Sequence, residues 1–168
     1  FNDLDLVILG YKNIDVKRSE DSLVKEFNQR FHILVYKKEE LEKALAYDPI
    51  TVSMFSIYIS DRPIDLEYKQ SINKEHILFL LMMPEDLLRI ELSSTIFYDA
   101  LRRLATIEHF LNKKSLLITE IESEVEHLLG KDLYFSMKSD RPIADKELEM
   151  IRGIIKEKVM RILPELVE

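Results

Sequence analysis

Residues 2–10 read Asn-Asp-Leu-Asp-Leu-Val-Ile-Leu-Gly, and this stretch decides the fold of the first half of the chain. Its run of Leu, Val and Ile residues is short and is closed by Gly10, which is typical of a buried strand. Because side chains alternate along a strand, Asp3 and Asp5 fall on one face. Two carboxylates at that spacing repel one another unless a cation binds them, so both are candidate ligands of a divalent cation. The alternative, that Asp3 and Asp5 are solvated acids at the start of a strand, stays open.

A helix and a second strand follow this first strand. The apolar spacing over residues 22–30 predicts a short amphipathic helix, with Ser19 or Asp21 as its N-cap. Residues 31–36 read Phe-His-Ile-Leu-Val-Tyr, which predicts a strand buried on at least one face.

The next stretch carries signals for two helices and a third strand. Residues 37–47 hold an apolar stripe opposite a charged one, which predicts a surface helix. Asp48-Pro49 is typical of an N-cap followed by proline at the first helical position, so residues 50–59 are a helix or a helix running into a strand. Residues 64–68 are predicted to form a short third strand.

Strand signals stop near residue 71, and helical ones take over. Pro84 is predicted to end the first of these helices, Gly130 to cap a later one and Pro164 to stop the last. The predicted helices cover residues 75–83, 87–111, 116–129, 132–137 and 144–163. We therefore expect an α+β fold: an α/β domain with a mixed sheet over residues 1–70, followed by an all-α helical bundle over residues 71–168.

The predicted helix over residues 87–111 carries an unusually long apolar stripe. Its length favours a place in the core of the helical domain, while a seam between two copies of the chain stays open. The stripe consists of Leu88, Leu92, Ile96, Ala100, Leu104, Ile107 and Leu111.

Composition excludes several classes of protein. The 168 residues include 24 Lys and Arg against 31 Asp and Glu, a net charge of −7, which argues against bulk nucleic-acid binding. There is no Cys, so disulfides, thiolate zinc sites and a thiol nucleophile are excluded. The longest apolar run, residues 77–83, is far shorter than the roughly 20 residues that span a bilayer. We expect a cytoplasmic protein without a membrane segment.

The opening stretch also resembles a known family. The sequence Asn2-Asp3-Leu4-Asp5-Leu6-Val7-Ile8-Leu9 is similar to the catalytic strand of the DNA polymerase β-like nucleotidyltransferase superfamily, and of its minimal nucleotidyltransferases in particular. Residues 31–41 resemble the next core strand of that family and the helix start after it. The resemblance covers roughly residues 1–70 and implies a nucleotidyltransferase-like sheet. It also implies a Gly-Ser pair some ten residues before Asp3, which we expect upstream of Phe1.

The resemblance assigns roles to individual residues. Asp3 and Asp5 correspond to the two main Mg²⁺ ligands of the family, which also binds an NTP such as ATP. His32 stands where the family carries a third carboxylate. Histidine is a poorer ligand for Mg²⁺ than a hard oxygen donor, and Glu26 or Asp65 is the alternative source of an acid.

Minimal nucleotidyltransferases also pair with helical partners, among them ribonucleases marked by Arg-x(4–6)-His. Arg103 and His109, or Arg102 and His109, satisfy that spacing. The pattern is common on amphipathic helices, so we expect these side chains to lie on a solvated face. Glu120, Glu122, Glu124 and Glu126 are likewise expected to form a solvated acidic face.

Taken with the resemblance, the sequence predicts Mg²⁺-dependent transfer of a nucleoside monophosphate from an NTP to a hydroxyl of a small molecule or protein. The alternative is a catalytically inactive module of the same fold that acts as an antitoxin-like or regulatory partner. The helical domain is the expected contact surface for a protein partner or for a homodimer.

Overall fold

The computed structural model describes residues 3–10, 13–88 and 93–167, with the side chains of Asp3 and Val167 outside the description. The first half of the chain holds two strands and three helices: β1 (Asp3–Leu9), α1 (Val16–Phe27), β2 (Arg30–Tyr36), α2 (Lys38–Tyr47) and α3 (Pro49–Met54). The second half holds only helices: α4 (Lys74–Asp86), α5 (Ser94–Leu111), α6 (Ile118–Leu129), α7 (Lys131–Lys138) and α8 (Asp145–Val167). The predicted α+β class is confirmed.

The sheet consists of β1 and β2, which run parallel and are connected through α1. The predicted mixed sheet is wrong within the described residues, because residues 64–68 form no strand. The backbone of this stretch binds α2 instead of a strand. The N–H of Glu67 donates to the Glu42 carboxylate at 2.9 Å, and the N–H of Ser71 donates to the Ala46 carbonyl at 2.7 Å.

Helices α1 and α3 each begin at a residue whose side chain caps the first turn. The Asp48 carboxylate accepts hydrogen bonds from the Ile50 N–H at 3.1 Å and the Thr51 hydroxyl at 2.5 Å, which confirms the predicted start at Asp48-Pro49. The first helix begins earlier than predicted. Its N-cap is Asp15, which accepts from the Arg18 N–H at 3.1 Å, rather than Ser19 or Asp21.

Two helices continue through a proline that was predicted to end them. Pro84 lies inside α4 and Pro164 inside α8. Each stands close to the C-terminal end of its helix. Pro84 is itself buried and so contributes to the packing of α4. The packing of Pro84 outweighs the roughly 3 kcal/mol by which a proline destabilises the interior of a helix.

The main core lies among α4–α8. The apolar stripe of α5 belongs to this core, as predicted, because Ala100, Leu104 and Ile107 are fully buried. Leu92 of that stripe lies outside the described residues. From the first half of the chain, Ile50 and Val52 pack against the same core. The predicted domain boundary at residue 70 stays a prediction.

Helices of the described residues are all too short or too polar to span a membrane.

Candidate functional site

The parallel pairing of β1 and β2 brings Asp5 and His32 side by side. They are register partners, and Asp5 Oδ1 lies 3.3 Å from His32 Nδ1. Both side chains are more than half exposed, so the pair is open to a ligand. In the sequence, only the family resemblance placed His32 near Asp3 and Asp5. The register of the two strands shows directly that His32 lies opposite Asp5.

Positions 3 and 5 of β1 share one face of the sheet, as do positions 30, 32, 34 and 36 of β2. The predicted ligand Asp3 has a described backbone, paired with Arg30, but its side chain lies outside the described residues. Tyr36 stands at the other end of this face. Burial, and secondly the charge on Asp48, raises the pKa of its phenol.

The Asp5–His32 pair fits a shared cation in its spacing. Neighbouring ligands of an octahedral ion lie about 3 Å apart when each is roughly 2.0–2.1 Å from the metal, and the two donor atoms are 3.3 Å apart. The donor set is one carboxylate oxygen and one imidazole nitrogen, and an imidazole nitrogen suits a first-row transition-metal ion better than Mg²⁺.

Among the described residues no group of three or more His, Asp or Glu side chains is placed to hold a metal ion. Neither Glu26 nor Asp65, the alternative acids, therefore joins Asp5 and His32 in such a cluster. A complete set of protein ligands on this face needs Asp3.

His109 is a buried structural residue and does not lie on a solvated face. Its Nδ1 lies 2.6 Å from the Ser115 carbonyl oxygen, and its Nε2 lies 2.8 Å from the Glu124 carboxylate. Each ring nitrogen therefore faces an oxygen atom at hydrogen-bond distance. Both nitrogens of His109 are thus committed to contacts that hold α5 to the Ser115 backbone and to α6.

Lys158 of α8 extends this cluster. Its ammonium binds the Glu108 carboxylate and lies 3.2 Å from Glu124, although only 8% of the side chain is exposed. Burial alone raises the pKa of the Glu124 carboxyl, but the hydrogen bond from His109 and the charge of Lys158 outweigh it, so this pKa lies below its ordinary value. The cluster joins α5, α6 and α8 through charges of alternating sign.

Glu122 is the centre of a second cluster. Its carboxylate accepts from the hydroxyl of Tyr98 at 2.5 Å, from the hydroxyl of Tyr134, and from the Lys138 ammonium at 2.8 Å. Arg102 lies 3.7 Å away. The hydrogen bonds lower the pKa of this carboxyl although burial alone raises it. Burial, and then the hydrogen bond to Glu122, raises the pKa of Tyr98.

The prediction of a solvated acidic face is wrong for Glu122 and Glu124, which are both partly buried in these clusters. A spacing of two residues places them about 200° apart around α6. One therefore faces α7 and the other faces α8, which the sequence pattern of a single helix does not reveal.

No protein-family model, no curated protein and no solved structure matches the chain.

Proposed function

We propose that this protein is a metal-dependent nucleotidyltransferase that moves a nucleoside monophosphate from an NTP to a hydroxyl of a small molecule or protein. The observation that carries the proposal is the register of β1 and β2, which sets Asp5 and His32 3.3 Å apart beside the strand position of Asp3. The resemblance of residues 2–9 to the catalytic strand of nucleotidyltransferases supports the same reaction. Mg²⁺ is the cation that this resemblance implies.

Asp5 has the central role in the proposed site. Its carboxylate, held by the strand, would bind the cation together with Asp3 from two residues earlier. A cation held there would supply positive charge to offset the negative charge that develops on the NTP phosphates during transfer.

The reaction itself is a single displacement. The acceptor oxygen bonds to the α-phosphorus, the bond to pyrophosphate breaks, and the hydroxyl proton passes to solvent or a nearby base. The exposure of Asp5 and His32 leaves room for both the nucleotide and the acceptor.

A second function is favoured by one specific observation, the histidine at position 32. Since the family carries a carboxylate there, a chain with His32 is also suited to bind a nucleotide without transferring it. In that case the protein is a binding module that acts as an antitoxin-like or regulatory partner.

Two measurements on the full-length protein separate these functions. Isothermal titration with ATP and GTP, with and without Mg²⁺ or Mn²⁺, is expected to show metal-dependent binding that Asp5→Asn removes. Asp65→Asn is the matched control, because Asp65 is an acid outside the site, and we expect it to leave binding unchanged.

Transfer of the nucleoside monophosphate is then measured with an NTP that carries a label on its α-phosphate. A label that becomes attached to an acceptor supports the enzyme, whereas binding without any transfer supports the module. If millimolar nucleotide does not bind in the presence of either metal, the transferase is contradicted and a module that binds a partner is the better account.

A further inference from the structure

Helix α4 is apolar on two sides. Its inner side chains Ile77, Leu80 and Leu81 are buried in the core. On the outer side Leu78, Phe79 and Met82 are 41%, 65% and 57% exposed. Large apolar side chains that are exposed singly are common, but three on one face of one helix form a contiguous patch.

The patch continues into a pocket of about 370 Å³ between α4 and α5. Apolar side chains form most of its wall: Phe79, Met82, Met83, Leu87 and Ile96. Such a pocket has room for one or two large side chains from another molecule. The outer face of α4 and this pocket are called the α4 patch below.

Two opposite charges complete the α4 patch. Arg103 lines the pocket, is half-buried, and forms no hydrogen bond or ion pair with any residue that the structure describes. Asp48 and Asp99 act on its charge only at longer range. Asp86 lines the same pocket, is exposed, and is also without an ion pair to the described residues.

These charges indicate what the patch binds. A half-buried guanidinium in an apolar pocket is stabilised by a carboxylate that arrives with apolar surface around it. The α4 helix itself offers that combination, because Phe79, Met82 and Asp86 lie within one arc of about 100° on its surface. The patch is therefore complementary to itself.

We propose that the α4 patch is the contact surface of a homodimer in which two copies of this chain pair about a twofold axis. Each copy places Phe79 and Met82 against the pocket of the other, and each Asp86 pairs with the other copy's Arg103. A twofold contact uses the same patch on both copies, so every charge pair occurs twice. The proposal does not depend on the metal site at Asp5.

The test is the molar mass in solution, measured by light scattering and sedimentation over a wide dilution series of the full-length protein. We expect a dimer that dissociates on dilution, and Phe79→Asp is expected to raise its dissociation constant by about tenfold or more. Phe135→Asp is the matched control, because Phe135 is a 49% exposed phenylalanine on α7. We expect it to leave the dissociation constant unchanged.

A charge exchange makes the test specific for the proposed pairing. Asp86→Arg and Arg103→Asp are each expected to weaken the dimer, and the double variant is expected to regain part of the lost affinity because both ion pairs reform with reversed signs. Circular dichroism verifies that each variant is folded. A protein that is monomeric at every concentration overturns the proposal, and so does a dimer that responds to Phe135→Asp but not to Phe79→Asp.

Discussion

Glu122→Gln probes the cluster that joins α5, α6 and α7. The wild-type carboxylate accepts from the hydroxyls of Tyr98 and Tyr134 and from the Lys138 ammonium, and only 18% of the side chain is exposed. Glutamine keeps one oxygen as an acceptor, but its NH₂ group meets a donor at the second position. The variant thus loses one tyrosine hydrogen bond to a charged group and the ion pair with Lys138.

The magnitude follows from those two losses. A hydrogen bond to a charged group contributes about 1.5–3 kcal/mol, and the partly exposed pair with Lys138 roughly 0–1 kcal/mol. We expect the free energy of unfolding to fall by about 1.5–4 kcal/mol, which for a chain of this length lowers Tm by about 3–16 °C.

Urea unfolding followed by circular dichroism measures this change. Glu120→Gln is the matched control, an exposed acid on the same helix, and is expected to cost less than about 0.5 kcal/mol. A double-mutant cycle with Tyr98→Phe should show coupling, because the two side chains are in direct contact. If Glu122→Gln unfolds at the same urea concentration as Glu120→Gln, the cluster does not stabilise the fold.

The loss of stability in Glu122→Gln is expected to depend on pH. The folded protein lowers the pKa of the Glu122 carboxyl from its ordinary 4.5, so the stabilisation is fully present above that pH. It is lost as the pH falls through the lower folded value. The difference between wild type and Glu122→Gln should therefore shrink in acid, and a difference that grows in acid would contradict the assignment.

Three other predictions concern the core, the buried lysine and the metal preference. Leu104→Ala removes a fully buried side chain of α5 and should lower the free energy of unfolding by about 2–5 kcal/mol in a urea titration, whereas the same change at the partly exposed Leu128 should cost much less. Lys158→Met removes the buried ammonium that Glu108 and Glu124 share and leaves Glu108 only the exposed Arg161 at 3.5 Å, so we expect a loss of roughly 3–5 kcal/mol at neutral pH, compared with little change for the exposed Lys156→Met. His32→Asp replaces an imidazole by a carboxylate beside Asp5 and should tighten Mg²⁺ binding in calorimetry while weakening the preference for Mn²⁺; an unchanged ratio of the two affinities would remove His32 from the site.

The sequence predicted those elements whose signals are local. The apolar runs of β1 and β2, the start of α3 at Asp48-Pro49 and the cap of α6 at Gly130 each depend on a few adjacent residues. All four features are confirmed, but the predicted burial of β1 is wrong, because Leu4 and Leu6 are 47% and 40% exposed. The predictions were wrong where the local structure depends on residues that are distant in the sequence. At Pro84, for example, helix α4 continues through the proline because this residue is buried by packing.

The strand at residues 64–68 failed for a similar reason. An alternating apolar pattern is necessary for an edge strand, but the strand also needs a partner strand, and the backbone of this segment binds the Glu42 side chain of α2 instead. The clusters around Glu122 and His109 depend on which helices lie on either side of α6. The neighbourhood of Asp5 and His32, in contrast, was predicted through the family resemblance alone, and the register of β1 and β2 places the two residues opposite each other.

The most direct test of the proposed site is the position at which Mn²⁺ broadens the NMR signals of the full-length protein. We predict selective broadening of the His32 ring and of the backbone signals of β1 and β2 around Asp5, at a metal concentration that leaves other acidic surfaces unaffected. Asp5→Asn should abolish that broadening while the spectrum stays folded. Broadening that is spread over the surface acids, or that persists unchanged in Asp5→Asn, would contradict a cation site on this sheet and the nucleotidyl transfer that depends on it.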